Sequence, residues 1–430
     1  MFGLPKHTPK IGFRRILTFC DEEQIDIEAI GKSSIVVTGS NGKGSTSRFA
    51  YACLQTAMDR VGCFTSPHLW ELNERFEISG QRIDDASLRE YIRRILEFNE
   101  KLRHHDDCLG AFELLFLVAL LWFKDRSVQC AVWEAGIGGR YDPVRVLRCP
   151  MSALASVDLE HTDILGTTRQ LIAYDKLDAV RALGHTFISP AVDASMTGDL
   201  EAYAAVTGQT LTFVTRAAAI ADISSDAAGV RYTMSVPGHT QRVQAVIPLL
   251  GVHQVHNSAT AVHVVNAYLN TNWDLSDGVD AMADVQWTGR LERISDHPET
   301  WVDVGHTPEA VEVVSRTLES MLPAAQWLIV FGVSANKRVR DISEIIRLRF
   351  PNVILTQTYK GGCDASLLAS EYFEPSTVIG VTHTIEEAVA LSRSVALERG
   401  LKIAVIGGLF LSVEFTHALR GNDPKSLEFF

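Results

Sequence analysis

A short apolar run, Ile35–Thr38, leads straight into Gly39-Ser40-Asn41-Gly42-Lys43-Gly44-Ser45-Thr46, and a helical pattern follows from Ser47 to Met58. No other stretch of the 430-residue chain constrains the fold as much. A strand that ends in a glycine-rich turn and restarts as a helix gathers backbone N–H groups, and the positive end of the helix, around one point. That arrangement suits an anion such as a phosphate. Lys43 would reach the outer phosphates of a nucleotide, and a hydroxyl such as that of Ser45 would ligate Mg2+. The spacing departs from the usual phosphate loop. Only two residues separate Gly39 from Gly42, and Gly44 stands between Lys43 and Ser45. The loop alone does not separate a ligase from a kinase or a GTPase.

The rest of the chain repeats the strand-then-helix rhythm. Ser34–Thr38, Val61–Phe64, Gln129–Glu134, Ala153–Val157 and Thr186–Ser189 are short and almost continuously apolar, with helical patterns between them. Such strands are covered on both faces, which implies a parallel, doubly wound sheet. Thr210–Val214, Val230–Val236 and Arg242–Leu249 lie closer together with turn signals between them, and read as a small antiparallel patch. After the polar segment Ser295–Glu299 the alternation restarts with Trp301–Val304, Trp327–Phe331, Val353–Thr356, Thr377–Val381 and Ile403–Ile406. Helical stretches such as Pro308–Met321 and Ile385–Arg399 separate these runs. The expectation is an α/β chain in two domains. A P-loop doubly wound, mostly parallel sheet with a small antiparallel patch occupies residues 1–295, and a smaller Rossmann-like domain occupies 296–430.

Charge and cysteine usage remove several classes of function. Forty Lys and Arg against 52 Asp and Glu give a net charge of −12, which disfavours nucleic acid as the main partner. The longest greasy run, Leu114–Phe123, has ten residues, whereas about 20 are needed to span a bilayer. It reads as a buried helix, and no membrane partner is expected. Seven cysteines, an odd number with no CxxC pair, suit a reduced cytoplasmic protein better than a disulfide scaffold or a structural zinc site. The opening MFGLPKHTPK has no long apolar stretch, which argues against a secretory leader.

In a doubly wound sheet, ligands gather outside the carboxyl ends of the strands. Four side chains fall there: Ser45 after the first strand, Ser66 after the second, Glu134 at the end of the third and His161 after the fourth. Magnesium prefers oxygen, so Ser45, Glu134 and nucleotide oxygens suit it; a histidine suits Mn2+ as well. Two ions would account for both Glu134 and His161. Lys176 stands on a helical stretch and, by composition alone, reads as a solvated lysine.

An ordered series of motifs then resembles the folylpolyglutamate synthetase/dihydrofolate synthetase family, a branch of the Mur ligase superfamily. Family GTNGKGS appears as Gly39–Ser45, TSPHL as Thr65–Leu69 and NER as Asn73–Arg75. EVGLGGRLDATN appears as Glu134–Arg145, LDHTxxLG as Leu159–Gly166, and the start of EKAGI as Asp175-Lys176. HQxxN appears as His253–Asn257, PGR as Thr288–Arg290, DGAHNP as Asp303–Pro308 and GSLYL as Gly407–Leu411.

The resemblance implies an ATP-dependent ligase that joins a small-molecule carboxylate, folate-like or other, to an amino acid. It implies ATP held by Asn41, Gly42, Lys43, Gly44, Ser45 and Thr46, and by Asn257, Arg290 and Asp303. Divalent ions would be held by Ser45, Ser66, Glu134 and His161, and by Lys176 once it is carbamylated. Lys43 and Lys176 take catalytic roles, with His306 at the amino-acid side. A monomer is expected.

Three departures from the family pattern matter. Thr307 replaces Asn in DGAHNP, Gly408 replaces Ser in GSLYL, and Arg145 replaces Asn in DATN. The ATP and metal motifs are largely intact, so the chemistry reads as retained and the substrates as open. One reading is neutral drift within folate enzymes; the other is a ligase for a different acid or amine. Arg145 is a planar cation and could pair with a carboxylate or phosphate. A nucleotide-binding protein without ligase activity and a P-loop kinase are the remaining classes.

Overall fold

The computed structural model describes residues 4–5, 12–103, 107–180, 182–218, 220–226, 228–270 and 273–427. Most of the opening segment, on which the expectation about a leader rests, lies outside them. The chain divides into two compact units. The first takes residues up to Ser224 with Val230–Pro248 and His253–Val285; the second takes Ser225–Gly229, Leu249–Val252 and everything from Gln286 onward.

The first unit carries β1 Ser34–Thr38, β2 Val61–Phe64, β3 Phe76–Ile78, β4 Gln81–Arg82, β5 Cys130–Glu134, β6 Met151–Leu154, β7 His185–Ile188 and β8 Thr210–Phe213. They form one sheet in the order β4-β3-β2-β5-β1-β6-β7-β8. From β2 to β8 every pairing is parallel, while β3 and β4 add an antiparallel hairpin at one edge. Strands β1 and β5 are buried along their whole length, as their mostly apolar sequences lead one to expect. The greasy run is the middle of the helix Ala111–Asp125, buried from Glu113 to Phe123. Phe116 and Phe123 set their rings 5.3 and 5.1 Å from that of Trp133 on β5. The Trp133 indole N–H donates to Ser34 Oγ at 2.9 Å, so the one polar atom of that ring is satisfied. Among the described residues no helix is long and apolar enough to cross a membrane.

One strand belongs elsewhere than its sequence suggests. Thr210–Phe213 does not join the antiparallel patch; it pairs parallel with β7, from His185↔Thr210 to Ile188↔Phe213. The helix Thr197–Thr207 supplies the crossover that a parallel neighbour needs. The patch itself is a separate sheet of β9 Ala221–Asp226, β10 Gly229–Met234 and β11 Val243–Ile247, in the order β11-β10-β9. Strand β9 is almost entirely exposed, so no apolar alternation announced it.

The second unit holds β12 Glu292–Asp296, β13 Glu299–Asp303, β14 Trp327–Phe331, β15 Val353–Leu355, β16 Val378–Val381 and β17 Lys402–Ile406. Their order is β12-β13-β17-β14-β15-β16, parallel throughout except for the β12–β13 hairpin. The polar segment Ser295–Glu299 is the tip of that hairpin. Apolar clusters on the two faces of this sheet, around Val311, Leu318 and Phe350 and around Ala388 and Phe415, make it a doubly wound layer.

Candidate active site

In the first unit the strand order places four loops side by side. The segment from Thr65 follows β2, Glu134 ends β5, the glycine loop follows β1, and the stretch Ala155–His161 follows β6. Val37 pairs with Glu134 and Thr38 with Leu154, so these strand ends are level. The four candidates named from the sequence therefore stand on four adjacent strands. Neighbouring strands are about 4.8 Å apart, which sets the scale of the site.

The glycine loop is shaped by its neighbours. Gly39 has φ +149°, and a Cβ there would stand 3.0 Å from both Ala155 Cβ and Ser156 N. Gly42 has φ +81°, and its Cβ would meet Asn257 Oδ1 at 2.5 Å. Asn257, on the helix Val252–Leu269, is thus seated against the loop, its amide donating to Gln254 Oε1 at 3.0 Å. Lys43 opens the helix Lys43–Gln55 and turns its ammonium back onto the carbonyls of Gly39 (2.8 Å) and Ser40 (3.3 Å). Ser45 and Thr46 are buried in the first turn, and Thr46 Oγ1 has no hydrogen-bond partner.

On the other side of β1, the loop after β2 is held by buried charge. The Ser66 N–H donates to Glu134 Oε2 at 2.9 Å, which ties two expected metal ligands together. Arg75 donates from Nε to His68 Nδ1 at 2.8 Å and sits in the fields of Glu134 and Glu74. Burial lowers the Arg75 guanidinium to about 10, while burial and the neighbouring Arg75 push the His68 imidazole down to about 3. His68 is therefore neutral, with Nδ1 as acceptor. Glu74 takes the N–H groups of Leu69, Trp70 and Glu71 at 2.8 to 3.0 Å and closes the loop.

Lys176 is not solvated. It is 1% exposed, on the helix Arg169–Leu177, and donates to Glu160 Oε1 at 2.8 Å. Burial and the nearby charge of Lys43 hold its ammonium below the ordinary lysine range, against the pull of Glu160. Burial alone would raise the Glu160 carboxyl, but Lys176 and Lys43 outweigh it and hold the group at about 2. Lys43, Glu160 and Lys176 thus share one electrostatic neighbourhood, and His161 adds to the field on Glu160. His161 itself is exposed, in a left-handed conformation (φ +44°), and starts the short helix Thr162–Leu165.

Three acidic groups that sequence reading did not single out shape these loops. Asp142 accepts from the N–H groups of Gly136, Ile137 and Val144 at 2.8 to 3.1 Å, and burial pushes it up to about 6. Asp175 accepts from Gly139 and Arg140 at 2.8 and 3.3 Å, and a Cβ on Gly138 would stand 2.2 Å from it. Asp158 accepts from the Asn41 side-chain amide at 3.0 Å. Asp142 and Asp158 lie in the loops that follow β5 and β6, and Asp175 is the neighbour of Lys176 on the helix Arg169–Leu177, so position was the available signal.

Among the described residues no three His, Cys, Asp or Glu side chains gather as a ready metal cage. The expected ligands are of another kind, two hydroxyls, one carboxylate, one imidazole and the Lys176 side chain once it is carbamylated. Ser66 and Glu134 are within one hydrogen bond of each other. Hard oxygen donors with open positions for phosphate oxygens suit Mg2+, so the residues fit that ion.

In the second unit the expected residues stand at the end of β13. Asp303 accepts from Leu291 N–H (3.0 Å) and Gly305 N–H (2.7 Å). Burial raises its carboxyl, against the neighbouring Arg290 and those two N–H groups. His306 is exposed, with Nδ1 3.3 Å from the Val304 carbonyl. Thr307 caps the helix Pro308–Met321, its Oγ1 accepting from Ala310 N–H at 3.2 Å. Gly408, the residue before the helix Leu409–Leu419, has φ +127° and ψ −179°. A Cβ there would lie 3.2 Å from His306 Cβ.

Residues 289–408 match the family model described as Mur ligase, glutamate ligase domain. The chain is 29% identical over 424 residues to a probable bifunctional folylpolyglutamate synthase/dihydropteroate synthase of Halobacterium salinarum, covering 93% of this chain and 49% of that protein. It is 26% identical over 433 residues to the dihydrofolate synthase/folylpolyglutamate synthase of Mycobacterium tuberculosis, covering 91% and 87%. The apo form of L. casei FPGS superposes with a TM-score of 0.83 at 25% identity, covering 98% of each chain. Along most of its length the chain is similar to folylpolyglutamate and dihydrofolate synthases, and residues 289–408 carry the Mur ligase glutamate ligase domain. It spans about half the length of the bifunctional halobacterial relative. The fold of Mycobacterium tuberculosis folylpolyglutamate synthase, solved with ADP and AMPPCP, matches with a TM-score of 0.86 at 24% identity, over 97% of this chain and 96% of that one.

Proposed function

We propose that the chain is an ATP-dependent carbon–nitrogen ligase that activates a carboxylate as an acyl phosphate and joins it to an amino acid, as a dihydrofolate or folylpolyglutamate synthase does. The observation that carries this reading is the convergence of Lys43, Ser66, Glu134 and the Lys176–Glu160 pair on four adjacent strand ends. A further solved relative, an FPGS–AMPPCP complex at 25% identity, supports ATP as the nucleotide.

In this reading the loop from Asn41 to Thr46 holds the phosphates, through its N–H groups from Gly42 to Ser45 and the Lys43 ammonium, with Asn257, Arg290 and Asp303 as further nucleotide contacts. Ser45, Ser66, Glu134 and His161 would hold Mg2+ or Mn2+, with Lys176 joining them as a carbamate, and the bound ion would supply charge neutralisation at the transferring phosphoryl group. The substrate carboxylate attacks the terminal phosphorus, ADP leaves, and the acyl phosphate forms. The amine then attacks the acyl carbon, and phosphate leaves from the tetrahedral intermediate. Lys43 must move off the Gly39 and Ser40 carbonyls to meet the phosphate, exchanging two neutral acceptors for an anion. His306 would line the amino-acid side.

Residues up to about 295 would form the ATP-binding domain and those from 296 the amino-acid domain. The acid is folate-like and the amine glutamate in this reading. Cytoplasmic location fits the absence of any disulfide among the described cysteines. One observation favours the alternative of a non-folate acid: Arg145 Nη1 is buried and has no hydrogen-bond partner, close in sequence to the Gly136–Asp142 loop. Purified chain should release ADP only when ATP, an acid from the series dihydropteroate, dihydrofolate and tetrahydrofolate, and an amino acid are all present. ADP release that ignores the amino acid would sink the ligase reading.

A further inference from the structure

Only two residues, Ser40 and Asn41, separate Gly39 from Gly42. Each of them is tied sideways to the loop after β6. The Ser40 N–H donates to the Ser156 carbonyl at 3.0 Å, and the Asp158 N–H donates to Ser40 Oγ at 2.9 Å. The Asn41 N–H donates to Ser156 Oγ at 2.8 Å, and Ser156 Oγ donates back to the Asn41 carbonyl at 3.1 Å. The Asn41 side-chain amide donates to Asp158 Oδ2 at 3.0 Å. Gly39 closes the set, since a Cβ there would strike Ala155 and Ser156.

A carboxylate beside a phosphate loop is unexpected on charge alone, because it repels the ligand the loop is built to hold. Its retention makes sense if shape outweighs repulsion. We propose that Asp158 is a positioning residue for nucleotide binding. Its carboxylate fixes Asn41 and, through it, the short loop, in the conformation that presents the N–H groups that follow, from Gly42 to Ser45, to phosphate. The same stretch carries Glu160 and His161 two and three residues on, so the nucleotide loop and the Lys176 end of the site are held on one backbone segment.

This rests on the reading that the Gly39–Thr46 loop holds ATP. The test is calorimetric binding of Mg·ADP to the full-length chain and to Asp158→Ala, Asp158→Asn, Asn41→Ala and the Asp158→Ala/Asn41→Ala pair. A hydrogen bond to a charged group predicts about a tenfold rise in Kd for Asp158→Ala. Asp158→Asn keeps an acceptor for Asn41 and should stay within about twofold of wild type. In steady state, KM for ATP should follow Kd while KM for the amino acid stays put, which a general loss of structure would not produce. In the Asn41→Ala background, Asp158→Ala should add nothing. Unchanged binding by Asp158→Ala overturns the proposal, as does an equal loss with and without Asn41. Tighter binding by both Asp158→Ala and Asp158→Asn also overturns it, because charge would then be the dominant effect. A wild-type chain that binds no ADP overturns the nucleotide reading along with the proposal, whereas the preceding results refute the proposal alone.

Discussion

The two units hold their expected site residues by different means. In the first, side chains pair with side chains at two points, Lys176 with Glu160 and Asn41 with Asp158, while Glu134 takes the backbone N–H of Ser66. In the second, the backbone does the holding. Asp303 is locked by two N–H groups, Thr307 is spent on a helix cap, and Gly408 occupies a conformation that only glycine adopts readily. A site built from paired charges should fail by charge removal, and a site built from backbone geometry by added Cβ atoms.

The largest expected effect lies in the first unit. Lys43→Ala removes the cation of the phosphate loop and should lower amino-acid-dependent ADP release by about 10³-fold. The thermal unfolding midpoint should stay near that of wild type, because Lys43 bonds only loop carbonyls here. Near-normal product formation would end the phosphate-loop assignment and, with it, the contrast between the units.

Breaking the buried pair comes next. With Lys176 as the free ammonium, Glu160→Gln leaves it buried without its counter-charge and should cost about 3 kcal/mol at neutral pH. The sign of the pH dependence follows from the lowered carboxyl. Glu160 stands at about 2 in the folded chain and at the ordinary carboxylate value when unfolded, so its contribution is full above about 4.5 and fades as pH falls toward 2. The stability gap between wild type and variant, read from denaturant melts, should narrow over that window. A gap independent of pH would show that the pair is not what holds Lys176.

In the second unit Gly408→Ser tests backbone against side chain. A serine at φ +127° with its Cβ 3.2 Å from His306 Cβ should cost about 1 to 3 kcal/mol. Restoring the family hydroxyl should therefore lower stability instead of raising glutamate use. A stable variant with a gain in glutamate kcat/KM would mean that the missing hydroxyl sets specificity after all.

How far these differences could be read from sequence depends on what makes each element. The phosphate loop, the helix Pro308–Met321 and the strands β1, β2 and β14 carry strong local signals, and the structure places them at the same residues. Thr210–Phe213 was legible as a strand but not as a parallel partner of β7, because pairing is decided by the crossover helix and not by the strand's own composition. Strand β9 was invisible, since an exposed strand has no apolar alternation. In the site, residue types at strand ends were legible; their partners were not. Nothing local says that Glu160 reaches Lys176 or that Asp158 reaches Asn41, because those contacts join loops 16 and 117 residues apart.

The smallest expected effect concerns Thr307. From sequence it stands as a departure that bears on the incoming amino acid. In the structure its hydroxyl accepts the Ala310 N–H at the start of a helix whose first residue is Pro308. Asn and Thr both serve as helix caps, so Thr307→Asn should change stability by less than about 0.5 kcal/mol. Thr307→Ala should cost about 1 kcal/mol, because it leaves that N–H without its cap. If capping is the whole role, neither variant alters the ratio of kcat/KM values for glutamate and other amino acids in competition at fixed ATP and acid. Should Thr307→Asn leave stability untouched yet shift that ratio toward glutamate, the residue faces the substrate as well as the helix. The second unit would then bind its amine with side chains, as the first holds its charges.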